Sequence, residues 1–475
     1  VQGPLERGWL EASLRGDPPI LQLNAHIQER EGSVLTDALG IPGPLKVSLQ
    51  GEGPLRAWHG RLLVFLGPMR ALDARLGIQS VEDLGLSAKG TVRYDRAHIP
   101  KSLKAFWPGK ARFDLSAHVR AGKDLILERF ELEAGRMDFK LRGRVDLKGR
   151  RCEGGFDLNG INIGLLETWI QRPCTGTLTL EGTFSGPIGK PRGTVAFRGE
   201  GIKVDKVEAA HTAGTLRLRF PEGWKNIFQG ARIEGTGRIA GLAYKGRGEF
   251  PEEDLHWALA AHGTGKQEIR VQKLTVDGKD VGVRITGSVD PDGLAAEAEV
   301  GLAIRDSQGL GTFFGEEFPG PFRLDATLRG DGQKRSLAAQ VQGSMHILNK
   351  PYTSLVPIVG DTIRYSGELA VSQGKGLQVS QWIVQTTPGT LKGKGMLDFE
   401  SGELQGAWDL MLTNLASFSE GLGHNLDGSM ELRGTLRGTL GSMALTAEAR
   451  SADLEVDSFE FDQVRARINA CGLPK

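Results

Sequence analysis

Residues 137–148 read Met-Asp-Phe-Lys-Leu-Arg-Gly-Arg-Val-Asp-Leu-Lys. Met137, Phe139, Leu141, Val145 and Leu147 alternate with Asp138, Lys140, Arg142, Arg144, Asp146 and Lys148, and Gly143 holds the apolar side's remaining place. Strict period two is the pattern of a strand with one dry face and one wet face.

This stretch lies in a 62-residue window, 125–186, that returns without a gap at 269–330 and 377–438. Gly143, Gly287 and Gly395 key the register; Gly176, Gly320 and Gly428 follow 33 residues later, and Gly186, Gly330 and Gly438 a further 10 residues on. The apolar positions keep step. Leu125, Leu127, Phe130 and Leu132 match Ile269, Val271, Leu274 and Val276, then Leu377, Val379, Trp382 and Val384. Past the second glycine, Leu178 and Leu180 match Phe322 and Leu324, then Met430 and Leu432. An internal repeat of this kind is read as architecture before any single motif. Residues 8–53 form a partial earlier copy, in which Gly43 and Gly53 keep the ten-residue spacing and Leu45 and Val47 follow Gly43 in the matching places.

Each copy reads as a meander of short antiparallel strands with turns marked by Gly, Asp and Lys. Ahead of Gly176 the spacing changes: Leu165, Leu166, Trp169 and Ile170 fall on one face of a short helix, matched by Leu310, Phe313 and Phe314 and by Phe418 and Leu422. Such a helix is expected to plug the end of a hydrophobic sheet, with a lipid or partner contact as the other reading. A further short helix is expected over His98–Trp107. Between the copies, Phe113 and Leu115 and then Leu216 and Leu218 alternate with charged or polar neighbours, giving more strands of the same kind. Lys350–Gly360, apolar and broken by Pro351 and Pro357, reads as an irregular loop tucked against the dry face, or as a gate. The expected fold is all-β: an elongated, curled antiparallel sheet, a β-taco or groove of repeated meanders with short amphipathic helices, continuous over residues 1–475. No Ser/Pro-rich or low-complexity segment separates domains.

Composition narrows the function classes. Lys plus Arg number 59 against 58 Asp plus Glu, so the net charge is +1 and no global field gathers nucleic acid. Glycine, 67 of 475 residues, is about twice the usual share. Its places inside strands, as at Gly143, Gly182 and Gly434, indicate sharp bends or close backbone approach. Cys152, Cys174 and Cys471 have no metal-ligand spacing; Cys152 and Cys174 are read as two separate thiols, a bridge between them requiring an oxidising compartment. The apolar runs are far shorter than the roughly 20 residues a membrane-spanning helix needs. Alternation continues almost to both ends, and the chain is read as an internal part of something longer.

No catalytic, cofactor or metal constellation is found. Gly309, Gly311 and Gly315 give a GxGxxxG run with the last glycine one place late for a dinucleotide site, and Gly265-Lys266 is followed by Gln267 where a phosphate loop requires a hydroxyl. The nine histidines show no i, i+4 pair on a helix.

With the repeat in view, Thr177–Phe197, TLTLEGTFSGPIGKPRGTVAF, and Ser429–Ala449, SMELRGTLRGTLGSMALTAEA, resemble the repeating β-groove of the TamB and AsmA-like bridge proteins of Gram-negative envelopes. The resemblance implies a periplasmic bridge that conducts phospholipids between inner and outer membranes, anchored by an inner-membrane helix and, in TamB, meeting a BamA-like outer-membrane barrel, with a role in outer-membrane protein assembly left open. Neither the anchor nor the barrel-docking domain is visible in this sequence. The expected lipid-groove residues are Leu45, Val47, Phe113, Leu115, Met137, Phe139, Leu141, Val145, Leu178, Leu180, Leu216, Leu218, Phe322, Leu324, Met430 and Leu432, with phospholipid acyl chains as the partner and no cofactor. Carrying a chain of about 16 carbons through water costs roughly 12 kcal/mol at about 0.8 kcal/mol per methylene, which a dry trough avoids. The rival expectation is a structural or interaction protein, a solid-cored β-solenoid or secreted passenger, whose dry face is its own packed core. A transmembrane barrel would need aromatic girdles, for which 4 Tyr and 8 Trp are too few.

Overall fold

The computed structural model describes residues 7–16, 19–29, 44–54, 56–80, 83–93, 109–120, 123–167, 172–221, 229–246, 248–252, 254–264, 268–290, 295–307, 318–349, 352–374, 376–439 and 442–473. The helix expected over His98–Trp107, the helical positions Trp169, Ile170, Leu310, Phe313 and Phe314, the glycine run at Gly309–Gly315, the Gly265–Gln267 stretch and Gly43 lie outside these residues. The chain divides into two compact units, Val1–Ile227 and Phe228–Lys475.

In the N-terminal unit every strand from Arg7–Arg15 to Val207–Arg219 pairs antiparallel with the next in sequence. In the C-terminal unit the same meander runs from Gln229–Tyr244 to Val464–Leu473, with Leu426–Asp427, Leu454–Val456 and Phe459–Phe461 set apart as a small second sheet. Among the described residues the first and last strands of each unit do not pair with each other, so neither sheet closes on itself. The all-β meander expected from the alternation is the fold.

Each full repeat copy is four strands. In the first these are Asp124–Ala134, Met137–Asp146, Arg151–Asn162 and Cys174–Pro187; in the second Ile269–Asp277, Val281–Asp290, Ala295–Ile304 and Phe322–Asp331; in the third Gly376–Gln385, Gly389–Leu397, Glu403–Leu412 and Met430–Thr439. The first strand of each copy carries a bulge at the same place. Ser116 and Ala117 face Arg129 and Leu127, leaving Glu128 unpaired; Gln272 and Ser380 are the corresponding extra residues. The keying glycine faces the apolar residue just before this bulge. A β-carbon on Gly143 would lie 2.7 Å from the Glu153 carbonyl oxygen, and one on Gly395 2.9 Å from that of Gln405. The neighbouring strand approaches too closely there for any side chain.

Successive strands reverse, so connections alternate between two rims of each sheet. The long ones, 30–44, 94–109 and 163–173 in the N-terminal unit and 305–321, 347–361 and 413–429 in the C-terminal unit, all follow strands running the same way within their unit. The strand ends they join share a rim, interspersed with tight turns such as 67–68, 135–136 and 278–280, whereas the connections of the other rim are all short. Ile163–Leu166 forms a 3-10 turn capped by Asn162, whose Oδ1 accepts from the Gly164 N–H at 2.9 Å. Asn414 does the same for Leu415–Phe418, accepting from Ala416 at 3.0 Å, and the helix runs on through Ser419–Leu422. Lys350–Gly360 is not irregular throughout: Tyr352–Leu355 is a 3-10 turn and Val356–Val359 a helical turn. Pro357 fits because a first-turn residue has no intrahelical N–H bond to lose.

Candidate functional site

Directly opposed residues of an antiparallel pair project to the same face, so the pairing traces a continuous surface across each sheet. In the N-terminal unit one row runs Leu76, Ala88, Leu115, Phe130, Leu141 and Phe156 and continues to Gly182, Val195 and Leu216. The adjacent row contains Phe113, Leu132, Phe139, Leu158, Leu180 and Phe197. Leu45, Val47, Met137, Val145, Leu178 and Leu218 fall on the same face. In the C-terminal unit a row runs Leu302, Leu324, Gly343, Tyr365, Val384 and Leu391 to Leu410 and Leu432, with Phe322 and Met430 on that face beside it. Every residue expected to line a groove thus stands on its unit's apolar face.

The bulges make this continuity possible. Leu127 and Phe130 are three residues apart and would point to opposite faces of a regular strand. The extra residue Glu128 restores the phase, so Leu125, Leu127, Phe130 and Leu132 share one face.

Burial is graded along the strands. Near the rim of long connections the apolar side chains are covered: Leu45, 4 % exposed, clusters with Leu66 and Ala71, and Ile304, 6 % exposed, with Leu255 and Val281 under Phe250 and Phe318. Leu45 and Phe322 therefore belong to packed rim clusters. Toward the other rim the face opens, Leu14 being 59 % and Leu337 43 % exposed; Trp58, buried against the strands, is the exception there. The middle rows, Phe139, Leu141, Leu180 and Leu432 among them, are half-buried.

The opposite face is ionic. Arg61 makes a bidentate pair with Asp73 at 2.9 and 2.8 Å, Lys89 and Arg129 both reach Asp114 at 3.1 Å, and Arg144 holds Asp124 at 2.8 Å. The hydrogen bond from Arg61 keeps the Asp73 carboxyl below the usual carboxylate range. A cavity of about 730 Å3 in the C-terminal unit opens on this polar face, with Thr286, Glu299, Gln340 and Glu368 in its lining. Its side chains already bond across strands, Thr286 to Glu299 at 3.3 Å and Gln340 to Glu368 at 3.1 Å. It is not a place for an alkyl chain.

Among the described residues no group of three or more His, Cys, Asp or Glu is placed to hold a metal ion, and no helix is long and apolar enough to cross a membrane. Neither Cys152 nor Cys174 is in a disulfide; Cys174 is buried and its Sγ–H donates to the Ile163 carbonyl at 3.0 Å. No family model, no curated protein and no solved structure matches the chain.

Two features escaped the sequence reading. The bulge was signalled by the three-residue step between apolar positions, which recurs from Val271 to Leu274 and from Val379 to Trp382. The helix cap was signalled by Asn162, Asp306 and Asn414, which occupy one repeat position.

Proposed function

We propose that the chain conducts phospholipid acyl chains along its apolar sheet faces, without catalysis, as part of a periplasmic bridge between the inner and outer membranes of a Gram-negative envelope. The observation that carries this reading is an apolar face, unbroken from strand to strand in each unit, whose middle rows keep part of their side-chain surface exposed. Repetition supports it: equivalent positions present the same surface copy after copy, which suits sliding better than holding at one point. The resemblance of Thr177–Phe197 and Ser429–Ala449 to TamB and AsmA-like proteins supplies the envelope setting. It also supplies the inner-membrane anchor, the BamA-like barrel partner and a shared part in outer-membrane protein assembly.

The test places a photo-crosslinking residue at Phe139 or Leu432, on the apolar faces, and at Lys140 or Arg433, on the ionic faces. The chain is expressed in a Gram-negative periplasm and adducts are read by mass spectrometry. Phospholipid adducts are expected at 139 and 432 and not at 140 and 433. Adducts to protein alone at 139 and 432 would instead favour a packed β-core, the structural or interaction reading.

A further inference from the structure

Aromatic rings on the apolar faces lie over glycines of the adjoining strand. One cross-strand row of the C-terminal unit runs Gly367, Trp382, Gly393, Trp408, Gly434 and Ala447. A β-carbon built on Gly393 would overlap the Trp382 indole, and one on Gly434 the Trp408 indole. The N-terminal unit does the same with Phe156 over Gly182 and Phe184 over Gly154. In each case the glycine leaves the backbone bare and the ring covers it, so the ring lies flat where any larger residue would prop it up.

We infer that the Trp382–Trp408 strip is the surface on which a phospholipid acyl chain rests in the C-terminal unit, and that Gly393 and Gly434 are positioning residues that keep it low and continuous. The inference rests on the lipid-conduction reading and deepens it. Alternating an indole with a glycine fills the row without upright side chains, at a height of about one carbon contact, roughly 3.5–4 Å above the backbone. Both indoles keep part of their surface exposed. The row carries no charged side chain, and dispersion against a flat ring has no preferred place along an alkyl chain. A chain can therefore be held off water without being locked in register.

The full chain labelled with 5-fluorotryptophan tests this, each 19F line being assigned by Trp→Phe substitution. Vesicles of phosphatidylcholine carrying a doxyl group on one acyl chain are the probe. The Trp382 and Trp408 lines are expected to broaden by twofold or more. The line of Trp9, which sits on the ionic face of the N-terminal unit stacked on His26, is expected to stay sharp. Gly434→Ala is expected to shift the Trp408 line and to lower the phospholipid adduct yield at a photo-crosslinker placed at Leu432 by severalfold. Should that variant not fold, Trp408→Leu, which removes the ring and leaves the glycine, is expected to lower the same yield. Sharp indole lines with phospholipid captured at 139 and 432 would overturn the strip and leave conduction standing. Sharp lines with no phospholipid captured at either position would overturn both. A displaced Trp408 with undiminished capture would show that ring height is irrelevant and would overturn the positioning role.

Discussion

Replacing Glu252 with alanine should unlock the covered rim of the C-terminal unit. Its carboxylate is buried and accepts three backbone N–H groups of the 278–281 turn: Lys279 at 2.6 Å on Oε2, and Asp280 at 2.9 Å and Val281 at 2.8 Å on Oε1. Arg305 brackets the turn from the other side, donating from Nη1 to the carbonyls of Gly278 and Lys279 at 3.0 Å. Val281 is buried in the rim cluster, so its N–H has no ready water when the carboxylate is removed, a loss of about 2 kcal/mol. Lys279 is exposed and Asp280 half-buried; their N–H groups recover most of their bonding from solvent, adding about 0.5 kcal/mol each. The expected cost is about 3 kcal/mol, roughly a 150-fold faster local opening, since about 1.4 kcal/mol is tenfold. Amide hydrogen exchange at Val281 reads this directly. Glu252→Gln keeps one acceptor oxygen and should fall between the two. Exchange at Val281 within threefold of the parent in both variants would refute the idea that this carboxylate holds the rim.

Deleting Ser380, the extra residue of the third bulge, should turn Leu377 and Val379 to the ionic face and Gln378 to the apolar one, costing about 2–3 kcal/mol in a urea titration; a midpoint equal to the parent's would mean that the bulge does not set the phase. Acid should destabilise the fold late. Asp398 is held below the usual carboxylate range by the backbone N–H groups of Ser401 and Glu400, Asp331 by that of Lys334, and Asp73 by Arg61. Because their folded values are depressed, their contribution is whole above the unfolded value of about 3.9 and is lost as pH falls through the lower folded values. Urea midpoints should stay level from about pH 7 to 5 and drop below about pH 4, and a decline starting near pH 6 would contradict this assignment. In a Cys471→Ser background, a thiol reagent should label Cys152 and leave buried Cys174 untouched until unfolding; equal labelling rates would place Cys174 elsewhere.

The alternation around Gly143 was enough to read strands and to sort side chains between faces, because a face choice is made by period alone. What period alone could not supply was register. Phe156 and Gly182 are 26 residues apart in sequence, and only the pairing of their strands shows that the ring covers the glycine. Interior glycines were expected to mark sharp bends or close backbone approach; Gly143 is such an approach, whereas those at 182, 393 and 434 make room for rings. The bulges lay in plain view as a broken spacing at Glu128, Gln272 and Ser380, but a single extra residue is easily taken for a lapse in the pattern. Prolines at 351 and 357 suggested irregular chain, and a helical turn that begins at the proline's neighbour was the local solution. The graded burial along the strands was not legible, since it depends on which connections share a rim.

A copy made of four strands hands the chain back on the side from which it came, so the strand that follows runs in the same direction, shows the same face and meets the same rim. A barrel gains or loses strands only by satisfying its closure again. These sheets have no seam to satisfy. Duplication or loss of a whole copy therefore leaves every remaining contact as it was, and copy number becomes a quantity that selection can adjust separately from the chemistry of the surface.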